Sequence, residues 1–335
     1  MIIEETTEQD VPADDGLSID PDSAPDSADA VNPAPAGVLP QAGRDAEAPL
    51  QRTGLGKDGK YPHRRCGTRT CVRVVGTGSH PASQAESPWQ VSLWSFKYTD
   101  YSAEEYRVKP EWLRRHKCGG TLIAAEWILT AAHCISGDLA DHPYKARVGS
   151  ALLTDQRGTF FDVVEKIPHE SYVAALNRHD IALLRVKPVH LPGVRPIRLL
   201  GMADDGNLPP ETPARVYGFG KTRAADASAL LIRGDVAIWA KDSCNAAYRE
   251  RAAAMTSLVF CANAGDTDSC QGDSGGPLVV GEGPDAVEAG VVSWGRGCGV
   301  PGSPGVYTNV AKYLPWIWNH THGAAGKPIS PLQAR

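Results

Sequence analysis

The chain has 335 residues, a formal net charge of −5 and 42% hydrophobic residues, enough apolar content for a sizeable core and length enough for two domains. The charge is uneven: residues 1–60 carry 13 acids against 4 bases, whereas the rest is net basic. No apolar run is long enough to span a membrane and no basic stripe or amphipathic surface helix stands out, so neither membrane nor nucleic-acid partners are expected.

Residues 1–60 are rich in Asp, Pro, Ala, Ser and Gly and nearly free of aromatics, so they cannot bury enough apolar surface to offset ordering. A disordered acidic leader is expected there. Residues 61–73, YPHRRCGTRTCVR, turn basic and end at Arg73, ahead of Val74-Val75-Gly76-Thr77. From Trp89 onward, short apolar runs alternate with Gly and Pro turns: WQVSLW, GGTLI, WILTAAHC, KARVG, FFDVVEKI, IALLRV, ARVYGFG, LLIRGDVAI, PLVV, AGVVSW and GVYTNV. Runs of this kind predict an all-β body. A charged stretch over residues 94–117 reads as a solvated surface loop or a surface that recruits a protein partner. Helical periodicity appears mainly near 310–320, where Tyr313, Trp316 and Ile317 share a face, and a polar tail, 322–335, follows. Asn319-His320-Thr321 is a glycosylation sequon. In GSALLTDQRG, Asp155 is the one acid, too few hard oxygen ligands for a calcium cage; no metal or cofactor is expected.

The chemistry concentrates in Asp266 to Leu278, DTDSCQGDSGGPL. So much glycine demands a tight, exposed turn, which presents the Ser274 hydroxyl as a nucleophile. The backbone N–H groups of Gly272 and Ser274 can converge beside it, as an oxyanion requires. A nucleophilic serine also needs a base and an orienting acid. His133 in LTAAHC supplies the first, and Asp180 in RHDIALL, at the mouth of an apolar run, the second.

Eight cysteines, at 66, 71, 118, 134, 244, 261, 270 and 298, form an even set with no Cys-x-x-Cys partnered by histidines. Disulfides and an oxidising, extracellular compartment follow. Met1-Ile2-Ile3-Glu4-Glu5 lacks the basic start and apolar run of a secretory signal, and export is expected nonetheless.

The order His133, Asp180, Ser274, with TAAHC, DIALL and GDSGGP, resembles the chymotrypsin family of serine proteases, and more closely its trypsin-like members, from about Val74 to His320. The resemblance implies two packed six-stranded antiparallel β-barrels with a C-terminal α-helix: a protease domain over 74–321, its first barrel near 74–195, its second near 210–308. It implies that His133, Asp180 and Ser274 straddle the seam as a catalytic triad. It implies the pairs Cys118–Cys134, Cys244–Cys261 and Cys270–Cys298, leaving Cys66–Cys71 to close a local loop. Asp268 would lie at the base of a specificity pocket walled by Ser269, Ser293, Trp294, Gly295 and Gly305, directing cleavage after Arg or Lys. Asn177 and Arg296 would line the cleft further out, Arg296 favouring an acidic substrate residue. Cleavage after Arg73 would free Val74, whose ammonium would pair with Asp273; Val-Val-Gly-Thr stands here where the family usually has Ile-Val-Gly-Gly.

Expected partners are therefore protein or peptide substrates, a protein inhibitor or an activating protease, with the chain itself monomeric. Two other classes compete. A catalytically silent homologue acting as an interaction module would usually have lost His, Asp or Ser, and all three are present. An ester or lipid hydrolase would set its Gly-x-Ser-x-Gly elbow in an α/β sheet, a context absent here.

Overall fold

The computed structural model describes residues 65–66, 69–70, 78–96, 107–135, 143–202, 206–222, 225 and 227–325. The chain divides into two units, Met1–Pro62 and His63–Arg335, and everything described belongs to the second. The acidic leader, Arg73, Val74 and the Cys66–Cys71 pairing lie outside the described residues.

Two short strands, β1 (Arg65–Cys66) and β2 (Arg69–Thr70), pair antiparallel. The body follows as β3 (Ser79–Pro81), β4 (Gln90–Ser95), β5 (His116–Ala124), β6 (Trp127–Thr130), β7 (Tyr144–Val148), β8 (Thr159–Pro168), β9 (Ala182–Val186) and β10 (Arg198–Leu199). Then come β11 (Pro213–Gly218), β12 (Ile232–Ile238), β13 (Val259–Asn263), β14 (Pro277–Val280), β15 (Val287–Trp294) and β16 (Gly305–Asn309). Strands β4 to β9 close one barrel in the order β4-β5-β6-β9-β8-β7. The second runs β14-β11-β12-β13-β16-β15 and closes through the β14–β15 pairing, so both barrels share one strand order. Closure leaves neither barrel with an unpaired edge.

β12 shows the expected period of two, with Ile232, Val236 and Ile238 buried and Arg233, Asp235 and Ala237 half-buried. β15 is buried along nearly its whole length. There Glu288 is fully buried, and Thr121 of β5 donates to its Oε1 at 3.1 Å, tying the two barrels together. Burial pushes the Glu288 carboxyl well above the usual range, against the opposing hydrogen bond from Thr121. The core of the first barrel is built on Leu122, Ile128, Leu129, Leu183 and Leu184, and that of the second on Val216, Val236, Leu278, Ala289 and Tyr307.

Four local features depart from the sequence reading. β13 lies outside the runs named above as strands, as do the short β1, β2, β3 and β10. WILTAAHC ends as a strand at Thr130, and its last residues, Ala132–Cys134, form a 3-10 turn. The stretch after Leu93 carries a short helix, α1 (Glu111–Arg115), whose Arg115 guanidinium lies 4.3 Å over the Phe96 ring. At the C-terminus a 3-10 turn, Val310–Tyr313, capped by the Asn309 side chain, precedes the helix proper, α3 (Leu314–Thr321); α2 (Lys241–Ala247) lies between β12 and β13. Pro315 is tolerated in the first turn of α3, where its missing N–H has no helical partner to lose. Among the described residues no helix is long and apolar enough to cross a membrane.

Asp155, the lone acid of its loop, is occupied by protein cations. Its carboxylate accepts from Arg147 Nη2 and Arg157 Nε, both at 2.8 Å, and from Ser150 Oγ at 2.7 Å. Burial raises its pKa, but the Ser150 hydroxyl and the two guanidinium groups outweigh that and hold it at about 2.

Candidate active site

The 3-10 turn after β6 points His133 toward Asp180, which stands just before β9 and is fully buried. Asp180 Oδ2 accepts from His133 Nδ1 at 2.8 Å, and Oδ1 accepts from the His133 backbone N–H at 2.9 Å. A carboxylate only accepts, so the ring hydrogen sits on Nδ1 and the lone pair on Nε2. The second barrel also holds this acid: Ser293 Oγ donates to Oδ2, and Thr308 Oγ1 donates to the Asp180 carbonyl at 2.9 Å.

Ser274 lies in the loop between β13 and β14. That loop turns through Gly272, whose φ of +94° is a left-handed value suited to glycine. The Ser274 carbonyl accepts from Gly119 N–H of β5 at 2.8 Å. Cys118, beside Gly119, is bonded to Cys134, beside His133, so one disulfide and one hydrogen bond bring serine and histidine together from opposite barrels. Among the described residues no hydrogen bond joins Ser274 Oγ to His133 Nε2; such contacts tighten when substrate arrives. The N–H groups of Gly272 and Ser274 have no acceptor among the described residues.

Asp273 is buried in the same loop, its Oδ1 accepting from Gly220 N–H at 2.8 Å and its Oδ2 from Cys270 N–H at 2.9 Å. Burial pushes its carboxyl up to about 6, and no cationic side chain pairs with it among the described residues. The Gly272–Asp273 peptide is anchored by a relay that sequence reasoning missed. Trp94 Nε1 donates to Ser92 Oγ at 2.9 Å, Ser92 to His116 Nδ1 at 2.7 Å, and His116 Nε2 to the Gly272 carbonyl at 3.0 Å. Burial lowers the His116 pKa to about 4, so this histidine stays neutral. No motif marks Ser92 or His116; only the barrel register brings β4 and β5 under the loop.

Beside Ser274 a cavity of about 200 Å³ is lined by Asp268, Ser269, Ser293, Trp294, Gly295 and Gly305, all six anticipated from the sequence. The disulfide Cys270–Cys298 clamps its two walls, and Cys244–Cys261 ties α2 to β13. Asp268 is buried, with Oδ1 accepting from Ser269 N–H at 2.9 Å and Oδ2 from Gly299 N–H at 3.1 Å. Burial outweighs those bonds and pushes the carboxyl up to about 7. A Cβ on Gly305 would stand 2.7 Å from Asp268 Oδ1, so any side chain there would block the carboxylate.

The sequence profile of the family described as Trypsin matches residues 76–317. The chain belongs to the trypsin family of serine proteases. Over 253 residues it is 36% identical to trypsin zeta of Drosophila erecta and 35% identical to trypsin zeta of Drosophila melanogaster, each match covering 73% of this chain and 84% of the relative. It is 34% identical to bovine (Bos taurus) coagulation factor XI over 266 residues, 77% of this chain but 39% of that protein's length. The three disulfides of the family domain fit an oxidising compartment.

Two residues expected further out in the cleft have their local settings defined. The Arg296 guanidinium, assigned above to an acid-seeking subsite, already pairs with Glu250 and lies 5.4 Å over the Tyr248 ring. Asn177 has a left-handed φ of +48° and closes a turn onto the Ala174 carbonyl at 3.3 Å. As for metals, the one group of metal-type side chains found among the described residues is Cys118, His133 and Cys134, and both its sulfurs are consumed by their disulfide.

The Asp268 carboxyl makes the trypsin-family pocket pH-sensitive. Its folded pKa of about 7 lies above the unfolded value, so its contribution to stability is complete below pH ~4 and lost as pH rises through 7. A bound cation reverses that loss. Benzamidinium affinity, followed by calorimetry, is therefore expected to rise roughly tenfold from pH 6 to 8 and then level off; a flat profile would place the cation elsewhere.

Proposed function

We propose that the chain is a serine endopeptidase that hydrolyses peptide bonds after Arg or Lys and is made as a zymogen, activated by cleavage after Arg73. The observation that carries this reading is the buried Asp268 carboxylate at the base of a cavity that also borders Ser274. An extended Arg or Lys side chain fits a glycine-walled slot ending in an acid, where its charge gains a buried partner.

With that side chain seated, Ser274 Oγ attacks the carbonyl carbon and His133 Nε2 takes its proton. The N–H groups of Gly272 and Ser274 receive the oxyanion. Asp180 holds the Nδ1 hydrogen in place and balances the imidazolium. Collapse of the tetrahedral species breaks the C–N bond, and His133 returns the proton to the departing amine. Water, deprotonated by His133, then attacks the acyl carbon; the bond to Ser274 Oγ breaks, His133 returns the proton to that oxygen, and the carboxylic acid leaves.

Asp273 supports the zymogen half of the proposal. A buried carboxylate with two N–H donors and no cation among the described residues is costly to ionise. A new ammonium on Val74 would remove that cost and lock the loop that carries Gly272 and Ser274. Export, protein substrates and regulation by an inhibitor or activating protease fit the same picture.

The test is hydrolysis of matched Arg, Lys and Phe peptides by the intact chain and by material cut after Arg73. Activity on Arg and Lys only after the cut is expected, and cut Asp273→Asn should stay roughly 10²-fold slower, the scale of a lost oxyanion donor. Folded, cut protein that cleaves nothing and whose Ser274 resists a serine-directed phosphonate would favour a silent interaction module.

A further inference from the structure

Arg251 lies in the 3-10 segment Arg249–Ala254 and is the residue there whose backbone leaves helical geometry, at φ −117° and ψ 31°. Its guanidinium carbon stands 4.1 Å over the centroid of the Trp294 ring. Trp294 is a wall of the Asp268 cavity, and its other neighbour is Tyr248, packed edge-on with centroids 4.8 Å apart. The indole that would otherwise be an apolar shelf beside the pocket thus carries a cation on its face.

The charges around it are not equivalent. Glu250 takes Arg296, whose guanidinium sits over Tyr248. Arg251 has no carboxylate within ion-pair distance among the described residues, so its charge is available to a ligand. The position of that charge along a substrate follows from the proton path. His133 delivers a proton to the leaving amine, so the leaving half lies on the His133 side of Ser274. The acyl half must run the other way, past Ser293, Trp294 and Gly295.

We infer that Arg251 is a specificity-determining residue, selecting an acidic side chain within the three residues that precede the cleaved Arg or Lys and disfavouring a basic one. The inference rests on the proposed protease reading and extends it from the residue at the cut to the sequence before it. Arg296, the residue suggested above for this role, already carries a counter-charge in Glu250, whereas Arg251 carries none among the described residues.

The experiment uses peptides with Arg at the cut and Glu, Gln or Lys placed in turn at each of the three preceding positions, hydrolysed by the full chain after cleavage at Arg73. A Glu over Gln advantage of about fivefold in kcat/KM at the best position is expected, the size of one solvent-screened charge pair at 4–5 Å. It should lie mainly in KM, because the contact is remote from the reacting bond, and shrink in about 0.5 M salt. Within each variant the ratio is its own control. Arg251→Gln should bring Glu and Gln level, Arg251→Lys should keep the preference for Glu, and Arg251→Glu should favour Lys. An equal Glu to Gln ratio in the unaltered chain and in Arg251→Gln overturns the inference. If the all-Gln Arg peptide is not cleaved at all, the protease reading fails instead. The same ratios, read as dissociation constants on Ser274→Ala and Ser274→Ala/Arg251→Gln, then decide the role of Arg251.

Discussion

Asp180→Asn is expected to fold and to lose kcat by about 10²- to 10⁴-fold, the range that a positioned general base contributes, with KM little changed. The reason lies in which atoms can donate. In the native site Asp180 Oδ2 receives the His133 Nδ1 hydrogen and the Ser293 hydroxyl, while Oδ1 receives the His133 backbone N–H. Asparagine can keep one acceptor on the backbone N–H, but its amide nitrogen then presents hydrogens where Oδ2 accepted. The Ser293 hydroxyl can rotate to accept; the imidazole must move its hydrogen to Nε2. That tautomer has no lone pair facing Ser274. Structural loss is separable from loss of the base, because Thr308 still binds the unchanged main-chain carbonyl of residue 180. Nitrogen NMR of the His133 ring should report the tautomer directly, alongside kcat on an Arg peptide. A variant within fivefold of native kcat, with the hydrogen still on Nδ1, would remove Asp180 from the mechanism.

Asp268→Ser is expected to lower kcat/KM on Arg peptides by about 10²- to 10³-fold, because an Arg seated in the cavity would lose its buried counter-charge, a change worth roughly 3–4 kcal/mol. Peptides with Leu or Phe at the cut should be affected far less, so the selectivity for Arg collapses rather than the chemistry. The stability of the free protein should move the opposite way. Burial already pushes the Asp268 carboxyl up to about 7, so at pH 8 the folded chain holds an ion where it disfavours one. Removing it should raise Tm at pH 8 and matter less at pH 5. An unchanged Arg to Leu ratio would mean that some other group reads the side chain at the cut.

Much of the site was legible because its chemistry is local. Ser274 with its flanking glycines must form a turn, whatever surrounds it, whereas the pocket position of Asp268, six residues earlier, came from the family resemblance rather than from the residues alone. The strand pattern was equally readable where β-branched runs alternate with turns. β13 was missed because Val259–Asn263 has no such run and is a strand only because β12 and β16 lie on either side of it. The 3-10 turn at Ala132–Cys134 was hidden inside an apolar run that reads as continuous strand.

What the amino-acid sequence determined by itself was the inventory and the local turns: which serine is exposed, which histidine and acid accompany it, which glycines leave room for a side chain. Properties that depend on distance through space were decided only by the tertiary structure. Two closed barrels in the same strand order put His133 and Asp180 on one and Ser274 on the other, with Ser293 and Thr308 crossing back to hold the acid. Burial in that seam raises Asp268 and Asp273 and keeps His116 neutral. The pairing of Arg296 with Glu250, and the setting of Arg251 on Trp294, join residues more than forty positions apart. Hydrogen bonds, desolvation and ion pairs act over a few ångströms, and a sequence orders residues only along the chain; folding decides which of them come that close.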